Sequence, residues 1–187
     1  MNDFFLPTVW AQPKYNSTLS ILRFSSDGNI HVYTYYEKGI LNAWEETYTL
    51  FTDSQGGADE CYLPEKCGSL GICENSQCVA CPTAKGLEGW SKDCKPSKQP
   101  SCNSTTVGYY KVEGVDHFLN IYNAEAEPKT PMKIEECRKK CSNDCKCAAF
   151  FYKKDSESCL LTVQLNTLKK GDDSESSKLV AYIKYTK

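Results

Sequence analysis

The chain lacks the sequence features of membrane-spanning and nucleic-acid-binding proteins. No stretch approaches the roughly 18 consecutive apolar residues of a transmembrane helix. Its 24 acidic and 22 basic residues give a formal net charge of −2, which argues against a surface that neutralises the phosphates of a nucleic acid. We therefore expect neither nucleic-acid binding nor membrane insertion, and the ligand must be sought among proteins or glycans.

Catalytic signatures are also scarce. The chain has only two histidines, His31 and His117. His31 lies among strand-forming residues, and Asp116 directly before His117 is only a weak dyad signal. The G-x-S-x-G motif is absent, and Gly56-Gly57 lacks the spacing of a phosphate-binding loop. The sequence therefore predicts a protein that is not an enzyme and needs no cofactor.

Cysteine is absent from the first 60 residues and abundant after them. All 12 cysteines lie between Cys61 and Cys159, and this density is typical of disulfide scaffolds in an oxidising compartment. The alternative is a cytosolic protein with zinc or an iron–sulfur cluster. Because Cys78-x2-Cys81 has no second C-x2-C or H-x3-H partner at the right distance, the sequence favours disulfides and assigns no metal ligand.

The N-terminus lacks a signal peptide, because the first seven residues contain neither a positive region nor an apolar run. Two glycosylation sequons, at Asn16 and Asn103, nevertheless favour a secreted chain. We therefore expect an extracellular protein whose natural form has further sequence before Met1.

Three parts with different patterns follow one another. Residues 1–60 predict a partial β-segment, in which strand-forming runs flank the hairpin signal Asp27-Gly28 and a third run begins at Trp44. This part carries 3 basic and 8 acidic residues. Residues 61–100 contain six cysteines and no countable helix or strand period. Covalent bridges must therefore replace a hydrophobic core there.

Residues 101–187 have clear periodicity. A helix is predicted from Thr130-Pro131 to about Ser142, with Cys137 and Cys141 on one face. Strand-forming runs occur at residues 107–112, 148–152, 159–163 and 179–185. The pattern predicts an α+β domain in which one cysteine-bearing helix packs on a small antiparallel sheet.

Cysteine spacing alone does not choose the disulfide partners. Each set of six cysteines allows 15 pairings. In the first set, bonds from first to third, second to fourth and fifth to sixth would give an EGF-like module. In the second set, Cys137 and Cys141 lie one helical turn apart, so both can face the strands beneath.

Several short runs carry a family resemblance. CYLP at residues 61–64 and CVACP at residues 78–82 resemble the EGF-like part of plant S-locus-glycoprotein-type chains. ECRKKC at residues 136–141 and DCKCAAF at residues 144–150 resemble the PAN/apple domain that follows it. GVDHF at residues 114–118 is similar to secreted, kinase-less glycoproteins of the curculin-like, mannose-binding lectin family. The resemblance implies a small, disulfide-rich, modular protein with an EGF-like module at 61–100 and a PAN/apple domain at 101–187.

The same resemblance implies bulb-type lectin domains upstream and allows one sugar motif to be tested. The lectin motif Q-x-D-x-N-x-V-x-Y can be laid on residues 25–33, where Asp27, Asn29 and Tyr33 match. Ser25 and His31 replace the glutamine and the valine, so a sugar would lose a hydrogen-bond partner. These three residues are therefore weak sugar-contact candidates, and a simple hairpin is favoured.

The resemblance also implies the disulfide order and a function. The implied pairs are Cys61–Cys73, Cys67–Cys78, Cys81–Cys94, Cys137–Cys159, Cys141–Cys147 and Cys102–Cys145. The implied function is recognition of a protein or a carbohydrate at the plant cell wall. The alternative is the extracellular part of an S-domain receptor kinase.

Overall fold

The computed structural model describes residues 19–35, 43–52, 59–96, 107–118, 120, 131–171 and 178–186. The chain forms two compact units, Met1–Asp59 and Glu60–Lys187. The second unit therefore includes the two parts for which the resemblance implies an EGF-like module and a PAN/apple domain.

The first unit contains a three-stranded antiparallel sheet. Strands β1 (Leu19–Phe24), β2 (Ile30–Tyr35) and β3 (Trp44–Thr49) follow one another in the order β1-β2-β3. The β1–β2 turn passes through Gly28, whose φ of 84° is readily reached only without a side chain. A bulge between Val32 and Tyr33 shifts the register of β2 against β3.

The second unit contains nine described strands and one described helix. A 3-10 turn at Glu60–Tyr62 precedes them. In chain order they are β4 (Ile72–Glu74), β5 (Gln77–Thr83), β6 (Gly86–Gly89), β7 (Val107–Glu113), β8 (Val115–His117), α1 (Ile134–Asn143), β9 (Ala149–Lys153), β10 (Ser158–Thr162), β11 (Leu168–Lys170) and β12 (Leu179–Thr186).

Two sheets organise these strands. An antiparallel sheet has the order β10-β9-β12-β7, and α1 contacts β9 and β10. The other sheet has the order β6-β5-β4-β11-β8, in which β4 and β11 are parallel. Strands from the cysteine-rich part of the chain therefore share a sheet with strands from the periodic part.

Thr167 joins these two parts of the second unit. Its side chain is fully buried and accepts a hydrogen bond from the backbone N–H of Cys67 at 2.9 Å. Its backbone N–H donates to the carbonyl of Pro64 at 2.7 Å, and the next N–H, of Leu168, donates to the carbonyl of Gly71 at 2.9 Å. These bonds pair three backbone groups of segment 61–96 with residues of the periodic part of the chain.

Two larger hydrophobic clusters stabilise the second unit. The first draws on both sheets, and its buried members include Leu70, Ile72, Phe151, Leu168 and Ile183. The second lies under α1 and consists of the buried residues Cys137, Cys141, Cys147, Phe150 and Tyr152. Cysteines of α1 are thus core residues as well as disulfide partners.

The helix begins later than the sequence predicts. It was expected from Thr130-Pro131, but α1 starts at Ile134, with Lys133 as an extended N-cap residue. The backbone N–H of Met132 donates to the carbonyl of Glu157 at 2.9 Å. This bond to the turn between β9 and β10 holds residue 132 outside the helix, so the expected start was wrong.

Residues 61–94 show no countable period in the sequence, yet they contain regular structure. Strands β4, β5 and β6 lie there, paired in antiparallel register. They are short, and β4 is stabilised by its parallel pairing with β11, about a hundred residues further along the chain. A local period could not reveal this long-range pairing.

Candidate functional site

Asn29, a sugar-contact candidate, is buried and holds the hairpin together. Its side chain is only 1% exposed. Its Oδ1 accepts hydrogen bonds from the backbone N–H groups of Ile30 at 2.9 Å and Phe51 at 3.1 Å, and its Nδ2 donates to the carbonyl of Phe51 at 3.0 Å. These partners already engage the amide, so it does not face a ligand.

The other two motif residues are accessible. Asp27 Oδ1 accepts a bond from the backbone N–H of Asn29 at 2.8 Å, and this bond lowers the pKa of the Asp27 carboxyl. Tyr33 is half-buried on β2. Desolvation, followed by its hydrogen bond to Glu46, raises the pKa of the Tyr33 hydroxyl. The structure therefore does not bring Asp27, Asn29 and Tyr33 together as a sugar-binding set.

His31, which replaces the valine of the lectin motif, lies at the centre of a polar network. Its Nε2 is 3.4 Å from Oδ2 of Asp27, and its Nδ1 is 3.1 Å from Oε2 of Glu46. The Thr49 hydroxyl donates to Oε1 of Glu46, and this bond is the main reason why the pKa of Glu46 is lowered. The network keeps the Glu46 carboxylate ionised and fixed in position.

The polar network belongs to one face of the sheet, which we call the open face. Residues paired across β1, β2 and β3 form rows that cross the sheet. Because side chains alternate between the two faces along each strand, three of these rows lie on the open face. The rows are Leu19–Tyr35–Trp44, Ile21–Tyr33–Glu46 and Arg23–His31–Thr49. All nine residues are exposed or half-buried.

Sequence reasoning missed most of the open face. The alternation of His31, Tyr33 and Tyr35 along β2 is the signal that could have found one of its strands. The partners on β3 could not be assigned in this way, because the bulge between Val32 and Tyr33 places Glu46 rather than Thr47 opposite Tyr33.

The second unit contains the disulfide bonds. The bonds in the described residues are Cys61–Cys73, Cys67–Cys78, Cys81–Cys94, Cys137–Cys159 and Cys141–Cys147. These are the partners that the family resemblance implies. The remaining expected pair joins Cys145, which is disulfide-bonded, to Cys102, which lies outside the described residues. The two sequons, at Asn16 and Asn103, also lie outside them.

His117 packs in the core of the second unit. It is 2% exposed, and its ring centroid lies 5.1 Å from that of Phe151. Its Nε2 lies 3.2 Å from the carbonyl oxygen of Gln164. Burial lowers the pKa of His117 to about 4. The imidazole is therefore neutral at pH 7 and is enclosed by aromatic rings.

Two negative findings concern the part of the chain that the structure describes. No three His, Cys, Asp or Glu side chains in it are placed to hold a metal ion. No helix in it has the length and hydropathy needed to cross a membrane.

The chain resembles known proteins in two ways, through a domain family and through individual relatives. Residues 102–165 match the PAN-like domain family. The chain is 43% identical over 184 residues to EP1-like glycoprotein 3 of Arabidopsis thaliana. It is also 46% identical over 114 residues, or 54% of its length, to the epidermis-specific secreted glycoprotein EP1 of Daucus carota, of which 29% is covered. The expected extracellular location is confirmed by the likeness to the carrot protein, whose name describes a secreted glycoprotein.

Kinases form a more distant group of relatives. The G-type lectin S-receptor-like serine/threonine-protein kinase SD2-5 of Arabidopsis thaliana is 30% identical over 134 residues, which cover 68% of the chain and 16% of the kinase. EP1-like glycoprotein 3 matches 98% of the chain, and the chain spans 40% of that relative's length. This chain is thus disulfide-rich and mostly β with one described helix, has a PAN-like domain, resembles the EP1-like glycoproteins and is related to the G-type lectin S-receptor-like kinases.

Proposed function

We propose that this chain is a non-enzymatic, secreted recognition glycoprotein that binds a protein or carbohydrate ligand at the plant cell wall. The observation that carries the proposal is the 43% identity to EP1-like glycoprotein 3 over 98% of the chain. The name of that relative describes a glycoprotein, whereas the kinases resemble a smaller part of the chain at lower identity.

The environment of the histidines supports a role without catalysis. His117 is buried against Phe118 and Phe151, with ring centroids 4.6 and 5.1 Å away, so a substrate has no access to it. His31 contacts two carboxylates that hold it in the sheet.

The domain organisation is also proposed. We infer a partial lectin-type β-segment at residues 1–60, an EGF-like module at 61–100 and a PAN/apple domain at 101–187. The disulfides within 61–94 and the PAN-like match at residues 102–165 support this division. The shared sheet indicates that the last two modules fold together. Asn16 and Asn103 are proposed glycosylation sites, and Cys102 is the proposed partner of Cys145.

A cell-wall binding experiment tests the function. Fluorescently labelled chain, produced by secretion from plant cells, is titrated onto isolated plant cell walls. We expect saturable binding that excess unlabelled chain displaces. The matched control is an unrelated labelled protein of similar size and net charge, which measures nonspecific adsorption to the walls. Non-saturable binding, or equal binding by this control, would contradict the proposal. Protease treatment of the walls then separates a protein ligand from a glycan ligand.

A further inference from the structure

We propose that Arg138 on α1 binds a carboxylate of an acidic protein segment, and that the surface around it is a protein-docking site. The inference rests on the proposed recognition function and assigns its ligand to one class of macromolecule with one anchoring group. The site consists of Arg138 and two tyrosines beneath it, Tyr109 on β7 and Tyr182 on β12, and we call it the arginine site. It belongs to the second unit, whereas the lectin-like motif of residues 25–33 belongs to the first.

Two tyrosine rings hold the guanidinium of Arg138 in place. Its Cζ atom lies 5.5 Å from the ring centroid of Tyr182 and 5.9 Å from that of Tyr109, within the range of cation–π attraction. Phe150 packs against both tyrosines: it stacks on Tyr182 with centroids 4.6 Å apart and meets Tyr109 edge-on at 5.4 Å. Because Phe150 is fully buried, the core of the second unit fixes the rings under the guanidinium.

The helix and the sheet are joined at the arginine site. The hydroxyl groups of Tyr109 and Ser142 form a hydrogen bond at 3.0 Å, and Ser142 lies one turn after Arg138 on α1. Cys137, the residue before Arg138, is bonded to Cys159 on β10. An arginine whose helix and supporting rings are both fixed loses little freedom when it binds, so more of the contact contributes to affinity.

Arg138 keeps its place on the rings without a hydrogen bond to Nε. This atom is buried and has no hydrogen-bond partner in the described part of the chain. The Glu135 carboxylate, one turn earlier on α1, lies 4.0 Å from Nε, which is beyond hydrogen-bond distance. A buried donor without a partner is unfavourable, and native proteins contain few of them. A local cost of this kind is expected where a side chain is kept for ligand contact.

The positive charge of Arg138 is available to a ligand. Its side chain is 42% exposed and that of Glu135 is 77% exposed, so water screens the attraction between them. Because Nε is buried, a ligand would bind the terminal nitrogens of the guanidinium. A carboxylate accepts two parallel hydrogen bonds from such a planar group.

Neighbouring charges favour a single carboxylate over a polyanion. Glu135 precedes Arg138 by one turn, and Glu113 on β7 is 64% exposed. Lys111 stands opposite Tyr182 and is bonded to Glu113, so its charge is already paired. A polyuronate carries a charge on each ring and would place further negative charge beside the two glutamates, and like charges in contact are unfavourable.

A protein segment can supply the remaining contacts. Ile134 is half-buried and lies one turn before Arg138 on α1, where residues four apart are neighbours. The arginine site thus combines an arginine and two half-buried tyrosines with an apolar neighbour. Arginine and tyrosine are enriched at the energetic centres of protein interfaces. We expect the partner to present an aspartate or a glutamate between apolar side chains.

Peptide selection on the purified chain tests the site. A random dodecapeptide library displayed on phage is selected on the immobilised full chain, and peptides that also bind Arg138→Gln are removed. If Arg138→Gln is misfolded, Arg138→Lys takes its place. We expect the remaining peptides to share an aspartate or a glutamate between apolar residues. Replacing that carboxylate with its amide should weaken binding, measured by calorimetry, by about tenfold or more.

Arg138→Lys distinguishes the arginine site from a simple surface charge. Lysine keeps the positive charge but lacks the planar group, so the affinity for the carboxylate peptide should fall by about tenfold. This variant should bind the carboxylate and amide peptides almost equally, because the two exchanged groups contact each other. The matched control is Lys139→Gln at the next, exposed position of α1, which should change the affinity by less than about twofold. Circular dichroism and thermal unfolding verify that each variant is folded.

The proposal is overturned if no peptide distinguishes the wild type from Arg138→Gln, if amide and carboxylate peptides bind the wild type equally, or if Lys139→Gln weakens binding as much as Arg138→Lys. Hexagalacturonic acid that binds through Arg138 more tightly than the peptides would also overturn it, in favour of an acidic glycan. Saturable cell-wall binding that Arg138→Lys leaves unchanged would overturn it too, while the broader recognition function would stand. Non-saturable wall binding by a wild type that still binds the peptides through Arg138 would instead remove the cell-wall function and support the site.

Discussion

The two units of this protein are stabilised by different means. In the described part of the first unit, residues 19–35 and 43–52, only Asn29, Val32 and Thr34 are buried, and no cysteine is present. The second unit has two large hydrophobic clusters and disulfide bonds that tie its helix and its short strands together. The described part of the first unit is therefore held by strand pairing and polar networks, whereas the second unit is also held by packing and covalent bonds.

This difference shows where a binding surface can be accommodated. A side chain that contributes little to a core can be changed for ligand contact without unfolding its unit. In the described part of the first unit most side chains meet this condition, because few of them are buried. In the second unit, aromatic residues such as Phe150 and Phe151 are core residues, so their substitution would be costly, whereas the side chain of Arg138 is 42% exposed and can contact a ligand.

Reduction of the disulfide bonds should affect the two units most unequally. Each disulfide contributes on the order of 2–4 kcal/mol, and a whole domain has only about 5–15 kcal/mol of stability. Full reduction should therefore unfold the second unit and leave the β1–β2–β3 sheet intact. Amide hydrogen exchange with and without reductant measures the unfolding of each unit. If the backbone amides of both units lost their protection against exchange equally, the two units would not be stabilised separately.

A pair of alanine substitutions compares one buried and one exposed phenylalanine. Phe150 is fully buried and stacks on Tyr182 with centroids 4.6 Å apart. Phe150→Ala should lower the free energy of unfolding by about 4 kcal/mol, because it leaves a cavity under α1. Phe24→Ala should lower it by less than about 0.5 kcal/mol. Urea unfolding measures both values, and similar losses would contradict the contrast between the units.

The sequence predicts those elements whose signals are local. Asp27-Gly28 marks the hairpin, and the spacing of Cys137 and Cys141 correctly identifies the buried face of α1. Strands β9, β10 and β12 are also found within one or two residues of their predicted bounds. In each case, the residues that determine the element are neighbours along the chain.

Features that depend on distant partners are not predicted. Ile72 forms a strand because it pairs with Leu168 in parallel register, and no period within residues 61–94 reveals this. The bulge beside Tyr33 determines that Trp44 and Glu46, rather than Glu45 and Thr47, share the face of His31. A register shift of one residue exchanges the two faces of a strand, so the open face is visible only in three dimensions.

Acid should destabilise the second unit through His117. Its pKa is about 4 in the folded chain and about 6.5 when unfolded. Above pH 6.5 the ring is neutral in both states and the pH has no effect. Below it, the unfolded chain binds a proton that the folded chain does not, so stability falls until about pH 4. The expected loss from pH 7 to pH 4.5 is about 2.5 kcal/mol.

Urea unfolding at these two pH values, for the wild type and for His117→Gln, measures this loss. The glutamine variant isolates the histidine, because carboxyl groups titrate equally in both proteins. The wild type should lose about 2.5 kcal/mol more than the variant. Equal losses in the two proteins would indicate that His117 is accessible to solvent in the folded state.

The smallest expected effect concerns Asn29, and it determines which role this residue has. Asn29→Ala removes three hydrogen bonds to the backbone of Ile30 and Phe51 and should destabilise the first unit by about 1.5 kcal/mol, because buried partners lose their bonds. Ser26→Ala, at an exposed position in the same turn, should have almost no effect. Hydrogen exchange of the β2 amides measures both changes. If Asn29→Ala instead leaves exchange unchanged, the Asn29 amide does not stabilise the hairpin. If exchange accelerates in the first unit alone, Asn29 stabilises the sheet on which the open face lies.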